Sequence, residues 1–144
     1  MISYVGTFEE TRMVRIPTKI FQHMVSHAVR EAPLECCGIL VGKGRTAIRV
    51  YEVPNADRSA VSFSMPPEEQ FRVFQEIEKE HLDMVGIYHS HPYANPFPSK
   101  RDVEFALYPD VAYIIVSLQG GRTAVKGFRI GKEGTSVEPI RVLG

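Results

Sequence analysis

The chain has no surplus of charge of either sign. Lys and Arg together number 17, and so do Asp and Glu. A nucleic-acid or anionic-membrane partner usually leaves a basic surplus, so this balance argues against both. Long apolar runs are missing as well. Residues 111–116 make a strand-sized run, far short of the roughly 20 residues that cross a bilayer. Glu9 and Glu10 stand where a secretory signal would be apolar, so no export signal is expected. Cysteine is scarce: Cys36 and Cys37 are the only two, and they are adjacent. Neighbouring cysteines rarely pair, which excludes a disulfide framework and makes a reduced, cytoplasmic compartment the simpler expectation. Cys37 reads as a small core residue rather than a nucleophile. A nucleotide-binding glycine fingerprint is absent too. Gly42-Lys43-Gly44 lacks the further glycine and the helix opening, and reads as a tight turn.

What is present fits one domain over residues 1–144. Hydrophobic residues make up 44% and charged ones 24%, enough to bury a core without staples. Residues 1–10 suggest at most a short strand or arm, and 11–16 alternate loosely as a strand. From Pro17 to about Glu31 the period becomes helical, with Ile20, Phe21, Met24, Val25, Ala28 and Val29 making a broad apolar face. His23 and His27 fall on the other face, near Lys19 and Arg30. A zincin pair needs Glu after the first histidine, and residue 24 is Met, so a solvated polar face is expected there.

Residues 36–42 are small and apolar throughout, as in a strand buried on both faces. Residues 45–53 are its hairpin return. The polar connection 54–66 is long for a compact domain, which points to a binding loop or lid. Residues 67–82 are helical again, with Phe71, Phe74, Ile77 and Leu82 facing inwards and His81 as a C-terminal dipole partner. Residues 84–88 read as a buried strand, 100–107 as a short helix, and 111–118 and 122–130 as strands. A single last strand follows Gly134, with Pro139 marking an edge. This order predicts an α/β class, a mixed β-sheet flanked by helices.

The stretch from His89 to Asp102 organises the chain. His89 and His91 close the strand, and alternation sends both imidazoles to one side. Pro92 stops the ladder, and the proline-rich segment 92–98 is a loop. Ser99 then opens the helix with Asp102 in its first turn. Two imidazoles and a carboxylate make three ligands of the type zinc takes, leaving a fourth position for water, the arrangement of a catalytic site. Each part alone is weak. Hydrogen-bonded core histidines are common, and Ser99-x-x-Asp102 is also a helix capping box, which competes for the oxygens of Asp102. Glu35 stands at the mouth of the first buried strand, where a bare strand-end Glu is ordinarily exposed.

His89-Ser90-His91, then Ser99-x-x-Asp102, preceded by Glu35 in Pro33-Leu-Glu-Cys-Cys-Gly-Ile-Leu-Val-Gly42, resembles the signature of the JAMM (MPN+) metalloproteases. All the motif positions are present at the family's spacing, and the order of elements extends the likeness over most of the chain. It is closest to the compact archaeal and bacterial forms. The doubled Cys36-Cys37 departs slightly from the pattern. The resemblance implies a cytidine deaminase-like sandwich. It implies zinc held by His89, His91 and Asp102, with Glu35 as general base and Ser99 as an oxyanion or water-orienting group. The implied reaction is hydrolysis of a peptide or isopeptide bond after the diglycine-type tail of ubiquitin, a ubiquitin-like modifier or a sulfur-carrier protein. Residues 54–66 and 93–97 are expected to wall the substrate groove. Two rivals carry less: a non-catalytic module binding a ubiquitin-like partner, which would not need the full ligand set, and a zinc deaminase, which would need a Pro-Cys-x-x-Cys run that is absent.

Overall fold

The structure, a computed structural model, describes residues 13–144. The expected arm over residues 1–10 lies outside them. The chain runs β1 (Val14–Pro17), α1 (Thr18–Glu31), β2 (Cys37–Lys43), β3 (Thr46–Val53), α2 (Pro67–Lys79), β4 (Asp83–His91), α3 (Lys100–Glu104), β5 (Ala112–Ser117), β6 (Ala124–Gly131), β7 (Gly134–Val137) and β8 (Ile140–Leu143). The strands form one mixed sheet in the order β7-β6-β5-β4-β2-β3-β1-β8. β4 runs parallel to β5 and antiparallel to β2. The last stretch of chain pairs first with β6 and then with β1, at opposite ends of that order, so the sheet curls.

Helices cover both faces. α1 has no side-chain N-cap and no acidic residue in its first turn, so burial must hold it. Ile20 and Met24 go into a core with Val14, Leu40, Tyr88 and Ile114, worth roughly 1.5–3 kcal/mol per large side chain. The polar face expected around His27 is corrected here. His27 is 5% exposed and bonds the Tyr88 hydroxyl through Nδ1 at 2.8 Å. Val29, expected inwards, is 58% exposed. His27 lies two helical turns after Ile20, on the same stripe, whereas Val29 lies on the opposite side. His23 does face outwards, bonded to Glu52 at 2.7 Å.

α2 packs on the other face, against Cys37, Ile39, Val41 and Val53. Its buried residue is Val73, while Phe71, expected inwards, is exposed. The third helix stops at Glu104, short of the expected 107. The single last strand is two strands, β7 and β8. Pro139 separates them, and Glu138 beside it is buried and ion-paired with Arg45 and Arg129.

β4 works on both faces. Ile87 and His89 face the α2 side, and Tyr88 packs beneath α1. The Tyr88 ring lies across Gly38 of β2, where a Cβ would stand 2.3 Å from a ring carbon. Only glycine leaves room for it.

Candidate active site

Cys37 of β2 pairs opposite His89 of β4 in an antiparallel ladder. That register brings the start of β2 beside the end of β4, so Glu35 reaches the histidines. Cys36 and Ser90 close the junction. The Cys36 N–H donates to Ser90 Oγ at 2.8 Å, and the Ser90 N–H donates to the Cys36 carbonyl at 3.0 Å.

His89, His91 and Asp102 come together. The two Nε2 atoms are 3.1 Å apart, and Asp102 Oδ2 lies 3.1 Å from each. His91 Nδ1 is 2.7 Å from the Asn95 carbonyl oxygen. A carbonyl only accepts, so Nδ1 carries the proton and the Nε2 lone pair faces the centre. His89 Nδ1 is buried with no hydrogen-bond partner among the described residues, and the ring is stacked against Phe63 at 4.5 Å.

Ser99 and Asp102 form a capping box. The Asp102 N–H donates to Ser99 Oγ at 3.0 Å, and the Ser99 N–H donates to Asp102 Oδ2 at 2.9 Å. The two readings meet on one oxygen: Asp102 Oδ2 accepts the Ser99 N–H and also faces both imidazoles. Burial raises the Asp102 carboxyl, but bonding to His89 and His91 outweighs it and holds the group well below the usual range. Burial lowers His89. It also pulls on His91, yet the Asp102 carboxylate and the Asn95 carbonyl leave that imidazole raised.

Glu35 is 4% exposed, and its Oε1 has no partner among the described residues. Burial pushes its carboxyl up to about 8, with the charge of His91 opposing and that of Asp102 adding. A carboxyl so placed is poised to take and return a proton near neutral pH.

The donor set fits a metal ion. His89, His91 and Asp102 are a group able to hold one. Two imidazole nitrogens and a carboxylate oxygen facing one another at 3.1 Å can offer their lone pairs to one shared cation. A tetrahedral zinc with ligands at about 2.0–2.1 Å keeps them about 3.3 Å apart, close to this triangle.

A cavity of about 210 Å³ opens beside the group. Phe63 and Met65 of the 54–66 connection line it, and so do Arg101, Phe105 and Tyr108. Residues 93–97 do not line it. Phe97 instead packs on Phe128 at 5.7 Å, and Asn95 serves the site through its carbonyl. Sequence reasoning missed Phe63, Asn95 and Asn55, whose Nδ2 donates to the Glu35 carbonyl at 3.0 Å. Asn55 had a signal, since Asn before a serine-rich turn folds local backbone. The other two had none.

A curled mixed sheet with this constellation at the carboxyl end of a central strand defines an α/β domain built around a candidate metal centre. The chain belongs to the family described as prokaryotic homologs of the JAB domain, whose model matches residues 17–130. It is 34% identical over 123 residues to a CysO-cysteine peptidase of Mycobacterium tuberculosis, covering 83% of this chain and 84% of that protein. It is 38% identical over 108 residues to a desampylase of Haloferax volcanii, covering 73% and 78%. Among solved structures, a protein from Desulfitobacterium hafniense matches with a TM-score of 0.82 at 34% identity, over 91% of this chain and 93% of that one. Among the described residues no helix is long and apolar enough to cross a membrane.

Proposed function

We propose that this chain is a zinc-dependent peptidase of the cytoplasm. It hydrolyses the isopeptide bond that joins the diglycine tail of a ubiquitin-like protein to its target. The observation that carries the reading is the meeting of His89, His91 and Asp102 at 3.1 Å, with the buried Glu35 beside them. The desampylase relative supports conjugate cleavage.

A zinc ion held by His89 Nε2, His91 Nε2 and Asp102 Oδ2 would supply Lewis acidity toward water and the scissile carbonyl. Glu35 accepts the proton of the attacking water at its carboxylate and passes it to the departing lysine amine. The Ser99 hydroxyl accepts the Asp102 N–H and keeps its own proton free, so it donates to the developing oxyanion, a contribution of about 3 kcal/mol per donor. Asn95 holds His91 in the tautomer that the centre requires. Phe63 shields His89 from water.

The CysO-cysteine peptidase relative favours a second substrate, a sulfur-carrier protein bearing a C-terminal amino acid. Purified protein, with and without chelator, is to be incubated with a lysine-linked ubiquitin-like conjugate and with a carrier ending in diglycine-cysteine. Chelator-sensitive release of the conjugate is expected. Cleavage of the carrier alone selects the second substrate, and inertness toward both, or indifference to chelator, refutes the proposal.

A further inference from the structure

Residues 55–64 touch Glu35, His89 and Arg101, and one side chain fixes their path. Asn55 Oδ1 accepts the N–H of Asp57 at 2.9 Å and of Ser64 at 3.2 Å. Asn55 Nδ2 donates to the Ser62 carbonyl at 3.0 Å and to the Glu35 carbonyl at 3.0 Å. Three of these bonds fold the loop on itself. The fourth leaves the loop and grips the main chain of Glu35. The loop holds the other side of that residue as well, since the Glu35 N–H donates to the Ser59 carbonyl at 2.8 Å.

Glu35 therefore lies outside the β-ladder, in which the first paired residue of β2 is Cys37. Its main-chain polar groups are bonded by the 54–66 connection rather than by a neighbouring strand. Oε1 has no partner among the described residues, so no hydrogen bond at that atom aims the carboxyl. Its direction depends on the main chain behind it. The same loop also registers against the rest of the site. Phe63 stacks on His89, and Asp57 pairs with Arg101 at 3.3 Å, next to Asp102.

We propose that Asn55 is a positioning residue for Glu35. Its amide ties the main chain of Glu35 to the 54–66 connection, so the conformation of that loop sets where the carboxylate stands. The inference rests on the proposed role of Glu35 as the base. Asn is required because the position needs two accepted and two donated bonds at once. Displacing a reacting group by about 1 Å lowers turnover on the order of 100-fold.

Asn55→Asp keeps the two accepted bonds that fold the loop and removes both donated ones, to the Ser62 carbonyl and to the Glu35 carbonyl. In the zinc-loaded protein it is expected to lower kcat about tenfold or more, with KM within about twofold and zinc content equal to that of the wild type. In a Glu35→Gln background the same change should have no further effect on the residual rate, because the group it positions is gone. Amide hydrogen exchange on the metal-free full chain provides a readout independent of catalysis. Exchange should quicken at Glu35 and over residues 57–64, and stay unchanged along β2 and β4. Asn55→Ala, which adds no charge, should show the same local pattern. If the wild type cleaves neither substrate, the proposed function fails while the exchange measurement still judges the tether. Unchanged exchange at Glu35, quickened exchange throughout the sheet in both variants, or additive losses in the double variant would overturn the proposal.

Discussion

Replacing Glu35 by Gln in the metal-free protein isolates the cost of burying an ionisable carboxyl. Glu35 is 4% exposed, and burial raises its carboxyl from 4.5 to about 8. Between those values the unfolded chain has released the proton and the folded chain has kept it. Stability is therefore complete below the unfolded value and is lost as pH climbs toward the folded one, at about 1.4 kcal/mol per unit of pH. This is opposite in sign to a salt-bridged carboxylate. From about pH 5 to about pH 8 the loss is roughly 3 kcal/mol. Gln has nearly the shape of the protonated acid and no proton to release. Urea unfolding of the two proteins in chelator should give the same midpoint near pH 5. Near pH 8 the variant should be the more stable. The imidazoles and Asp102 are common to both proteins, so their titration cancels to first order in the comparison. Curves that stay parallel across this range would refute the claim that Glu35 is buried and uncharged. Loaded with zinc, the same variant should keep its metal and lose about 100-fold or more in kcat.

His89→Ala and Asp102→Ala should each lose zinc in metal analysis by mass spectrometry, and Asp102→Ala should also lose about 1 kcal/mol of stability with the capping box. Phe63→Ala removes the stack on His89 and is expected to weaken zinc binding about tenfold in a chelator competition. Tyr88→Phe deprives the buried His27 Nδ1 of its partner. It should cost about 1–3 kcal/mol in denaturant unfolding while turnover per folded molecule is unchanged.

His89, His91 and Asp102 were legible because what places them is local. Strand alternation orients the histidines, and a capping box orients the carboxylate. Glu35 was legible only by resemblance. Its burial follows from the pairing of Cys37 with His89, a contact between distant segments that no local pattern announces. Phe63 reaches His89 for the same kind of reason, through the path of a long loop. His27 is different. Its angle on α1 matches that of Ile20, so position was readable, but a histidine turned inward needs a partner, and Tyr88 is far away in sequence. Pro139 was readable as the mark of an edge strand, not as a division of the stretch in two. That the chain resumes beyond it as an edge strand beside β1 depends on the curl of the sheet.

β4 keeps two sets of duties apart on alternate positions. His89 and His91 face the candidate site, while Tyr88 and Ser90 moor the strand to α1 and to Cys36. A loss on the mooring side can therefore be felt at the candidate site, because both sides share one short segment of main chain. The histidines stay aligned because Ser90 between them and Tyr88 before them are anchored elsewhere.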